Sequence, residues 1–380
     1  MSINHTPVSR NKNNDIATSR DNTLKHILFT GGGSAGHVTP NIALIQQFHD
    51  QGWRISYIGS HRGIERSLVE NIDNIDVAYF PIATGKLRRY FSWQNFIDPF
   101  KILFGLWQAF WLCNKLKPDV IFSKGGFVSF PVVIAGWLKR IPVVLHESDL
   151  TCGLANRLSY PFANKICLTF ADSAQYFQNK QNKIIVTGTP IRPSLLHGER
   201  KLGLALCGFD PNKKVMLVFG GSLGAKPINQ AIRKALPSLL ALGWQVVHVC
   251  GKDQYESNLN YPAYRQFAYL DQEFSHVIAA ADLVVSRSGA NSVYELLTLK
   301  KPHIFIPLAK HSSRGDQIEN ALHFANSGIS QVILEDDLTA ATLIEKITWT
   351  QEHRDEIIAK MTTLELPNSV ALIYSVVNLL

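Results

Sequence analysis

Two glycine-rich turns lie about half a chain apart. The first, Gly31-Gly32-Gly33-Ser34-Ala35-Gly36-His37, follows the apolar run 27–30; the second, Gly220-Gly221-Ser222-Leu223-Gly224, follows 216–219. A glycine turn between a strand and a helix lets backbone amides close on a phosphate or an oxyanion, and the positive end of the helix dipole favours negative charge there. A third turn of small residues runs from Arg287 to Glu295 as RSGANSVYE. Its small side chains admit a diphosphate, and Glu295, about one helical turn further on, can accept hydrogen bonds from ribose hydroxyls. His37 enters the first turn of the helix after the first loop. An imidazole there either bonds its own backbone or serves as a general base near neutral pH. The polar loop Ser312-Ser313-Arg314-Gly315-Asp316-Gln317 opens one more helix at the same sheet edge.

Exclusions narrow the chemistry. Gly31, Gly33 and Gly36 satisfy G-x-G-x-x-G, a dinucleotide-binding fingerprint that also wants an acidic residue at the end of the second strand for the ribose. That strand ends Tyr57-Ile58-Gly59-Ser60-His61, without the acid. No G-x-x-x-x-G-K-[ST] phosphate loop occurs, and no D-x-D pair to hold Mn²⁺ or Mg²⁺. A diphosphate must then be met by helix N-termini and arginine, with no metal and no cofactor. The five cysteines, Cys113, Cys152, Cys167, Cys207 and Cys250, are scattered and form no C-x-x-C pair. That speaks against a metal site or a disulfide framework and for a reducing compartment.

The chain has 380 residues, 46% of them apolar, and a formal net charge of +8. The length fits two or three domains, and the basic balance suits nucleic acid, anionic lipid or a phosphorylated substrate. Residues 1–24 are polar and asparagine-rich, neither a signal peptide nor a folded element. The apolar segment 100–113 contains Lys101 and is shorter than the roughly 20 residues that span a bilayer. Lys86, Arg88, Arg89 and Lys101 interleave with Tyr90, Phe91, Trp93, Phe96, Phe100, Phe104, Trp107, Phe110 and Trp111. Basic residues among aromatics fit an interfacial membrane contact or single-stranded nucleic acid. One face of a helix over 99–116 is simply core, whereas the turn 86–93 is too short and too charged for core.

Positioning these residues requires alternating strands and helices. Strands are predicted at 27–30, 54–59, 77–80, 119–122, 142–145, 165–168 and 184–187, then at 215–219, 245–250, 266–269, 282–285, 303–306 and 331–334. Helices are predicted at 38–50, 64–71, 99–116 and 128–139, then at 226–241, 291–299, 316–327 and 339–348. Short Val/Ile-rich runs without alternation imply strands buried on both faces, hence parallel sheets. The α/β pattern occurs twice, giving two doubly wound, Rossmann-like domains whose ligands bind beyond the carboxyl ends of the strands. The turn-rich Gly188-Thr189-Pro190-Ile191-Arg192-Pro193 marks the boundary. The division expected is a tail over 1–24, a first domain over 25–190, a second over 191–350, and helices over 351–380 that can return to the first.

Seven motifs then occur in order: GGGSAGHVTPN, FSKGGFVSFPV, PVVLHES, GTPIRP, GGSLGAKPIN, RSGANSVYE and DQIENA. Together they closely resemble the MurG family of N-acetylglucosaminyltransferases, which make lipid II in bacterial peptidoglycan synthesis. The resemblance covers roughly residues 25–365. It implies a GT-B fold, two Rossmann-like domains with parallel sheets facing a central cleft, working without an essential metal. It implies UDP-N-acetylglucosamine as donor and undecaprenyl-diphospho-N-acetylmuramoyl-pentapeptide (lipid I) as acceptor. The reaction would invert the anomeric centre to give a β-1,4 link, on a peripheral protein at the cytoplasmic face of an anionic membrane, with no nucleic-acid partner.

By motif, the resemblance assigns Ser34, Ala35 and Gly36 to the first loop and makes His37 the base candidate. Arg192 and Ser222 would meet the donor diphosphate, and Leu270 would contact uracil through its backbone. Ala290, Asn291, Ser292, Val293, Tyr294 and Glu295 would hold phosphates and ribose, and Gln317 the sugar hydroxyls. Lys86, Arg88, Arg89, Tyr90, Phe91 and Trp93 would dock the membrane. Two positions depart from the family pattern: Asp149 stands where H-E-Q-N has asparagine, and Asp316 replaces the first glutamine of a Q-Q pair. Asp149 can therefore replace or orient His37 as the base. Rival functions are another lipid glycosyltransferase of this architecture, such as a diacylglycerol glucosyltransferase, a UDP-sugar 2-epimerase, and a silent membrane scaffold.

Overall fold

The computed structural model describes residues 24–72, 74–85, 94–177, 181–221 and 224–380. Two parallel sheets organise them. The first contains β1 (His26–Thr30), β2 (Arg54–Ser60), β3 (Ala78–Ile82), β4 (Val120–Ser123), β5 (Val143–Glu147), β6 (Lys165–Leu168) and β7 (Ile184–Val186) in the order β3-β2-β1-β4-β5-β6-β7. The second contains β8 (Val215–Phe219), β9 (Gln245–Val249), β10 (Tyr264–Phe267), β11 (Leu283–Ser286), β12 (His303–Phe305) and β13 (Gln331–Val332) in the order β10-β9-β8-β11-β12-β13. Every pairing in both sheets is parallel.

The central strands are buried along their whole length because helices cover both faces, as a parallel sheet requires. Along β1, Ile27 and Phe29 enter one core layer, with Phe48, Tyr57 and Phe122. Leu28 points the other way, toward Ile58, Ile121, Val132 and Leu145. The second domain repeats the division, with Leu217 in one layer and Met216 and Val218 in the other. Both sheets reverse their strand order at a central pair, β1/β4 and β8/β11, and ligands of open parallel sheets collect beyond the carboxyl ends at such points. The two glycine turns sit there.

Predicted strands agree with the observed ones to within a residue or two at most ends, and β8 and the helix Lys226–Ala241 match outright. The helix predicted at 99–116 begins earlier, at Gln94, so Pro99 lies inside it rather than at its start. Four short helices were not foreseen: Leu154–Ser159, Pro193–Leu196, Arg200–Cys207 and Phe274–Ala280. Each is at most about two turns long, too short for a helical period to stand out. The third and fourth pack together so closely that a Cβ on Gly203 would overlap the carbonyl of His276.

The final helix, Ser369–Asn378, lies on the first domain rather than the second. Ile373, Val376 and Val377 enter the core layer of Phe29 and Phe48, Tyr374 meets the Phe48 ring at 5.1 Å, and Lys25 Nζ donates to Asn378 Oδ1 at 3.0 Å. Leu150 and Phe170, from loops of the first domain, join the core of the second, and Phe170 meets Phe324 edge-on at 5.5 Å.

Four core histidines, His26, His146, His248 and His303, are at most 2% exposed. Burial holds His26 and His303 down to about 4 and His248 to about 3, and drives His146 well below the usual range. The unfolded chain protonates these rings below about pH 6.5 while the folded chain does not, so stability falls as pH drops from there toward 4. Two carboxyls raised by burial to about 7, Asp149 and Glu295, act in the opposite sense over the same window but are outnumbered. Each uncompensated proton contributes about 1.4 kcal/mol per pH unit. Urea unfolding midpoints should therefore fall steadily from pH 6.5 to 4.5. A flat or rising midpoint contradicts neutral core histidines.

Candidate active site

The first glycine loop leaves β1 and passes through a single 3-10 turn, Ala35–His37, into the helix Thr39–Asp50. Gly33 has φ +88°, and a Cβ there would lie 2.5 Å from the Phe127 ring, so only glycine fits. The loop is braced from below. Glu65, fully buried at the start of the helix Ile64–Glu70, accepts from Ser60 N at 2.9 Å, from the Ser60 hydroxyl and from Gly33 N at 3.3 Å. Tyr57 donates to the Gly31 carbonyl at 2.7 Å and receives Asn41 Nδ2 at 3.1 Å. Ser34 and Gly36 stay exposed and Ala35 half-buried, leaving this stretch of backbone at the cleft surface.

Across the cleft, the turn after β11 leads into the helix Ala290–Thr298. Ser288 donates to the Gln317 carbonyl at 2.8 Å, and Gln317 Oε1 accepts from Leu308 N at 3.1 Å. Arg287 is buried, paired with Glu335 and donating to the carbonyls of Ile306 and Pro307 at 2.9 and 3.0 Å, so it anchors the neighbouring loop. Helical periodicity divides the run 290–295. Asn291, Ser292 and Glu295 are half-buried at the cleft side, while Ala290, Val293 and Tyr294 are core. The Tyr294 hydroxyl is taken up by Pro367 O at 3.3 Å and Ser369 at 3.2 Å, leaving the tyrosine a structural part. Asn291 donates to the Gly36 carbonyl at 3.0 Å and receives Thr189 at 3.4 Å, so its side chain ties the first loop to the second domain.

Arg192 and Glu295 converge from the linker and this helix. Arg192 Nη1 is 3.9 Å from Asp271, and its Nε is buried without a partner. Burial pushes the Glu295 carboxyl up to about 7 against the opposing pull of Arg192. Leu270, partly buried, packs on the second core beside Asp271. Ser222 lies outside the described residues, as do Lys86, Arg88, Arg89, Tyr90, Phe91 and Trp93.

The two base candidates occupy different electrostatic settings. His37 Nδ1 is buried without a hydrogen-bond partner, and burial, then the Lys124 and Arg314 cations, push the ring down to about 3. Asp149 sits at the domain junction. Asn320 Nδ2 donates to its Oδ1 at 3.1 Å, and Arg314 Nη2 lies 3.3 Å from its Oδ2. Burial, then the like charges of Glu147 and Asp316, push its carboxyl up to about 7 against the pull of Asn320 and Arg314. Arg314 also lies 3.8 Å from Asp316, so one guanidinium serves both positions that depart from the family pattern.

Lys124, 1% exposed, extends from the end of β4 to the Ser148 hydroxyl, and burial holds its ammonium down to about 8. Glu147 folds its own loop, accepting from Asp149 N at 3.1 Å and from Gly153 N and Asn156 Nδ2 at 3.0 Å. Sequence reasoning quoted Lys124, Glu147 and Asn320 inside motifs without giving them roles, and passed over Glu65. The partners of Lys124 and Asn320 come from distant segments, whereas those of Glu147 lie within its own loop and the helix that follows.

The profile of the glycosyltransferase family 28 N-terminal domain matches residues 27–168, and that of its C-terminal domain matches 215–372. The chain belongs to glycosyltransferase family 28. Among its relatives, a protein of Legionella pneumophila (strain Paris) is 52% identical over 93% of this chain and 96% of its own length. One from Clostridium botulinum (strain Hall) is 49% identical over 91% and 97%. Both are named UDP-N-acetylglucosamine–N-acetylmuramyl-(pentapeptide) pyrophosphoryl-undecaprenol N-acetylglucosamine transferase. The crystal structure of Acinetobacter baumannii MurG superposes with a TM-score of 0.73 at 24% identity, covering 94% of this chain and all of that one. A UDP-GlcNAc 2-epimerase from Neisseria meningitidis superposes at 0.65 with 16% identity, covering 94% of this chain and all of that one, a likeness of fold. The family 28 chain therefore has the GT-B architecture read from its sequence.

Glu65→Ala leaves buried donors of the first loop without an acceptor, and each costs about 1–3 kcal/mol. Urea unfolding should register that loss. A change within about 0.5 kcal/mol, the range of ordinary surface substitutions, would remove Glu65 from the bracing role.

Proposed function

We propose that the chain transfers N-acetylglucosamine from UDP-N-acetylglucosamine to the 4-hydroxyl of the muramoyl sugar of undecaprenyl-diphospho-N-acetylmuramoyl-pentapeptide, with inversion. The observation that carries the proposal is near-complete coverage, at about half identity, of relatives named for that transfer. The site geometry supports it. The loop beyond the carboxyl end of β1 meets the helix start beyond the carboxyl end of β11, where Asn291 donates to the Gly36 carbonyl.

On this reading the second domain takes the donor. The free amides at the start of the helix Ala290–Thr298, Arg192 and Ser222 meet the diphosphate, whose negative charge grows as UDP departs; fixed dipoles and charges aimed at such developing charge lower the barrier. Glu295 accepts the ribose diol, Leu270 offers its backbone to uracil, and Gln317 has its Nε2 free for sugar hydroxyls. The first loop, Ser34 to Gly36, faces the acceptor, and His37 or Asp149 takes the proton of the attacking hydroxyl.

The acceptor's lipid requires the first domain to meet a bilayer surface. Among the described residues no helix is long and apolar enough to cross a membrane. The helix Gln94–Leu116 nevertheless turns Phe100, Phe104, Trp107 and Trp111 outward, three to four residues apart, with Phe100 at 73% and Trp107 at 62% exposed. Ala109, Leu112 and Cys113 take the core side. Trp137 and Leu138 extend the exposed face, and Lys139 sits 4.0 Å from the Phe110 ring. Apolar rings rimmed by cations suit insertion at an anionic leaflet, the cytoplasmic one on this reading.

Purified protein given UDP-N-acetylglucosamine and a short-chain acceptor analogue should yield UDP and a β-1,4 disaccharide in equal amounts. UDP release without disaccharide removes the assignment. Changing Phe100, Trp107 and Trp111 together to Ser should abolish co-sedimentation with anionic liposomes while transfer to a water-soluble acceptor survives. Equal co-sedimentation of wild type and variant at low salt rules the docking face out.

A further inference from the structure

We propose that Asp149, rather than His37, takes the proton of the attacking hydroxyl, and that Arg314 shields it until the acceptor arrives. This rests on the transfer reaction proposed above and settles which of two groups performs its proton step.

Charge balance decides between them. A histidine base ends the step as a cation. The charges acting on His37 are Lys124 and Arg314, both positive; they outweigh a backbone hydrogen bond with Lys124, and the buried Nδ1 has no partner among the described residues. Imidazolium formation there places a third positive charge in a buried pocket, which desolvation and Coulomb repulsion both oppose. A carboxylate base ends the step neutral. Asp149 faces Glu147 from β5 and Asp316 from the helix Asp316–Asn326, so taking up a proton relieves two like-charge repulsions. The cations facing it are Arg314, from the loop before that helix, and Lys124, whose own ionisation feels Asp149. The burial-raised affinity of Asp149 for a proton, about 7, also matches a general base working near neutral pH far better than an imidazole near 3.

Geometry assigns the working atom. Oδ1 is fixed by Asn320, itself fully buried and bonded to Leu150 N and the Ser288 carbonyl. Oδ2 is turned toward Arg314, whose side chain is 37% exposed while that of Asp149 is 13% exposed. Displacement of the arginine by the incoming acceptor bares Oδ2 and removes the cation that favours the carboxylate, so the base strengthens as substrate arrives. The hydroxyl oxygen then bonds to the anomeric carbon. The bond from that carbon to the phosphate oxygen breaks, UDP leaves with its electron pair, and the hydroxyl proton passes to Oδ2. The neutral acid returns that proton to water.

The test is the pH dependence of turnover with a short-chain acceptor analogue, alongside UDP affinity by calorimetry. Wild-type kcat/KM for the acceptor, which reports the free enzyme with Arg314 still paired, should fall as pH drops through about 7, the range to which Asp149 is raised. Asp149→Asn should lower kcat by about 10²–10⁴-fold with UDP affinity kept, which separates a chemical role from misfolding. Arg314→Gln removes a cation that lowers the Asp149 pKa, so it should move the acid limb to higher pH, a shift that a purely structural arginine does not produce. His37→Gln, whatever its effect on rate, should leave the limb near pH 7. The assignment is overturned if Asp149→Asn keeps wild-type turnover, or if the limb lies in the acid range and vanishes in His37→Gln. Wild-type protein that makes no disaccharide overturns the transfer reading along with it.

Discussion

The side-chain amide of Asn320 is bonded on both sides of a domain boundary, and the site depends on it. From a fully buried position in the second domain it donates to Asp149 and to Ser288 O and accepts from Leu150 N. Those three bonds fix a loop of the first domain against the third small-residue turn of the second. An apolar residue there would leave Leu150 N, Ser288 O and Asp149 short of partners in a dry setting, where each unmet group is costly. Leu150 and Phe170 reinforce the junction by entering the second core. The two halves of the cleft are thus registered by a polar lock set inside an apolar seal.

Around that lock the charges are few and counted. Lys124 lies beneath the first loop and Arg314 at its rim, with Glu147, Asp149 and Asp316 between or beside them. In a low-dielectric pocket each such charge sets the protonation of its neighbours more strongly than it could at a surface. Glu147 is the most tightly engaged, holding three donors of its own loop. Its carboxylate is thereby held in place beside Asp149.

The architecture was legible because parallel strands buried on both faces leave uninterrupted Val/Ile/Leu runs, and because glycine turns directly after them mark the carboxyl edge. The run 290–295 was legible as a helix start after a strand, but which of its residues face outward was not: a helix presents only some of consecutive positions to one side, and Val293 and Tyr294 fall on the core side. Nothing local marks Glu65, since its partners Ser60 and Gly33 come together only when β1 and β2 pair. Lys124 was hidden for a related reason. Its partner Ser148 lies in another strand-end loop, and no local pattern announces a buried ammonium. The exposed aromatic stripe on the helix Gln94–Leu116 inverted the ordinary expectation that such a stripe is core, because Ala109, Leu112 and Cys113 supply the buried side.

The return of the helix Ser369–Asn378 to the first domain means that the polypeptide spans the gap twice, once near residue 188 and once near residue 368. The spans touch: Gly188, at φ +71°, lies so close to the Tyr294 hydroxyl and to Ser369 that a Cβ would overlap the hydroxyl. Two adjacent tethers constrain motion differently from one. A single strap allows the second domain to swing, twist and slide. A pair crossing side by side removes the twist and leaves chiefly rotation about the line joining them. Opening and closing of the cleft is thereby channelled into one hinge-like degree of freedom, and the bonds from Thr189 through Asn291 to the Gly36 carbonyl place the first glycine loop beside that axis.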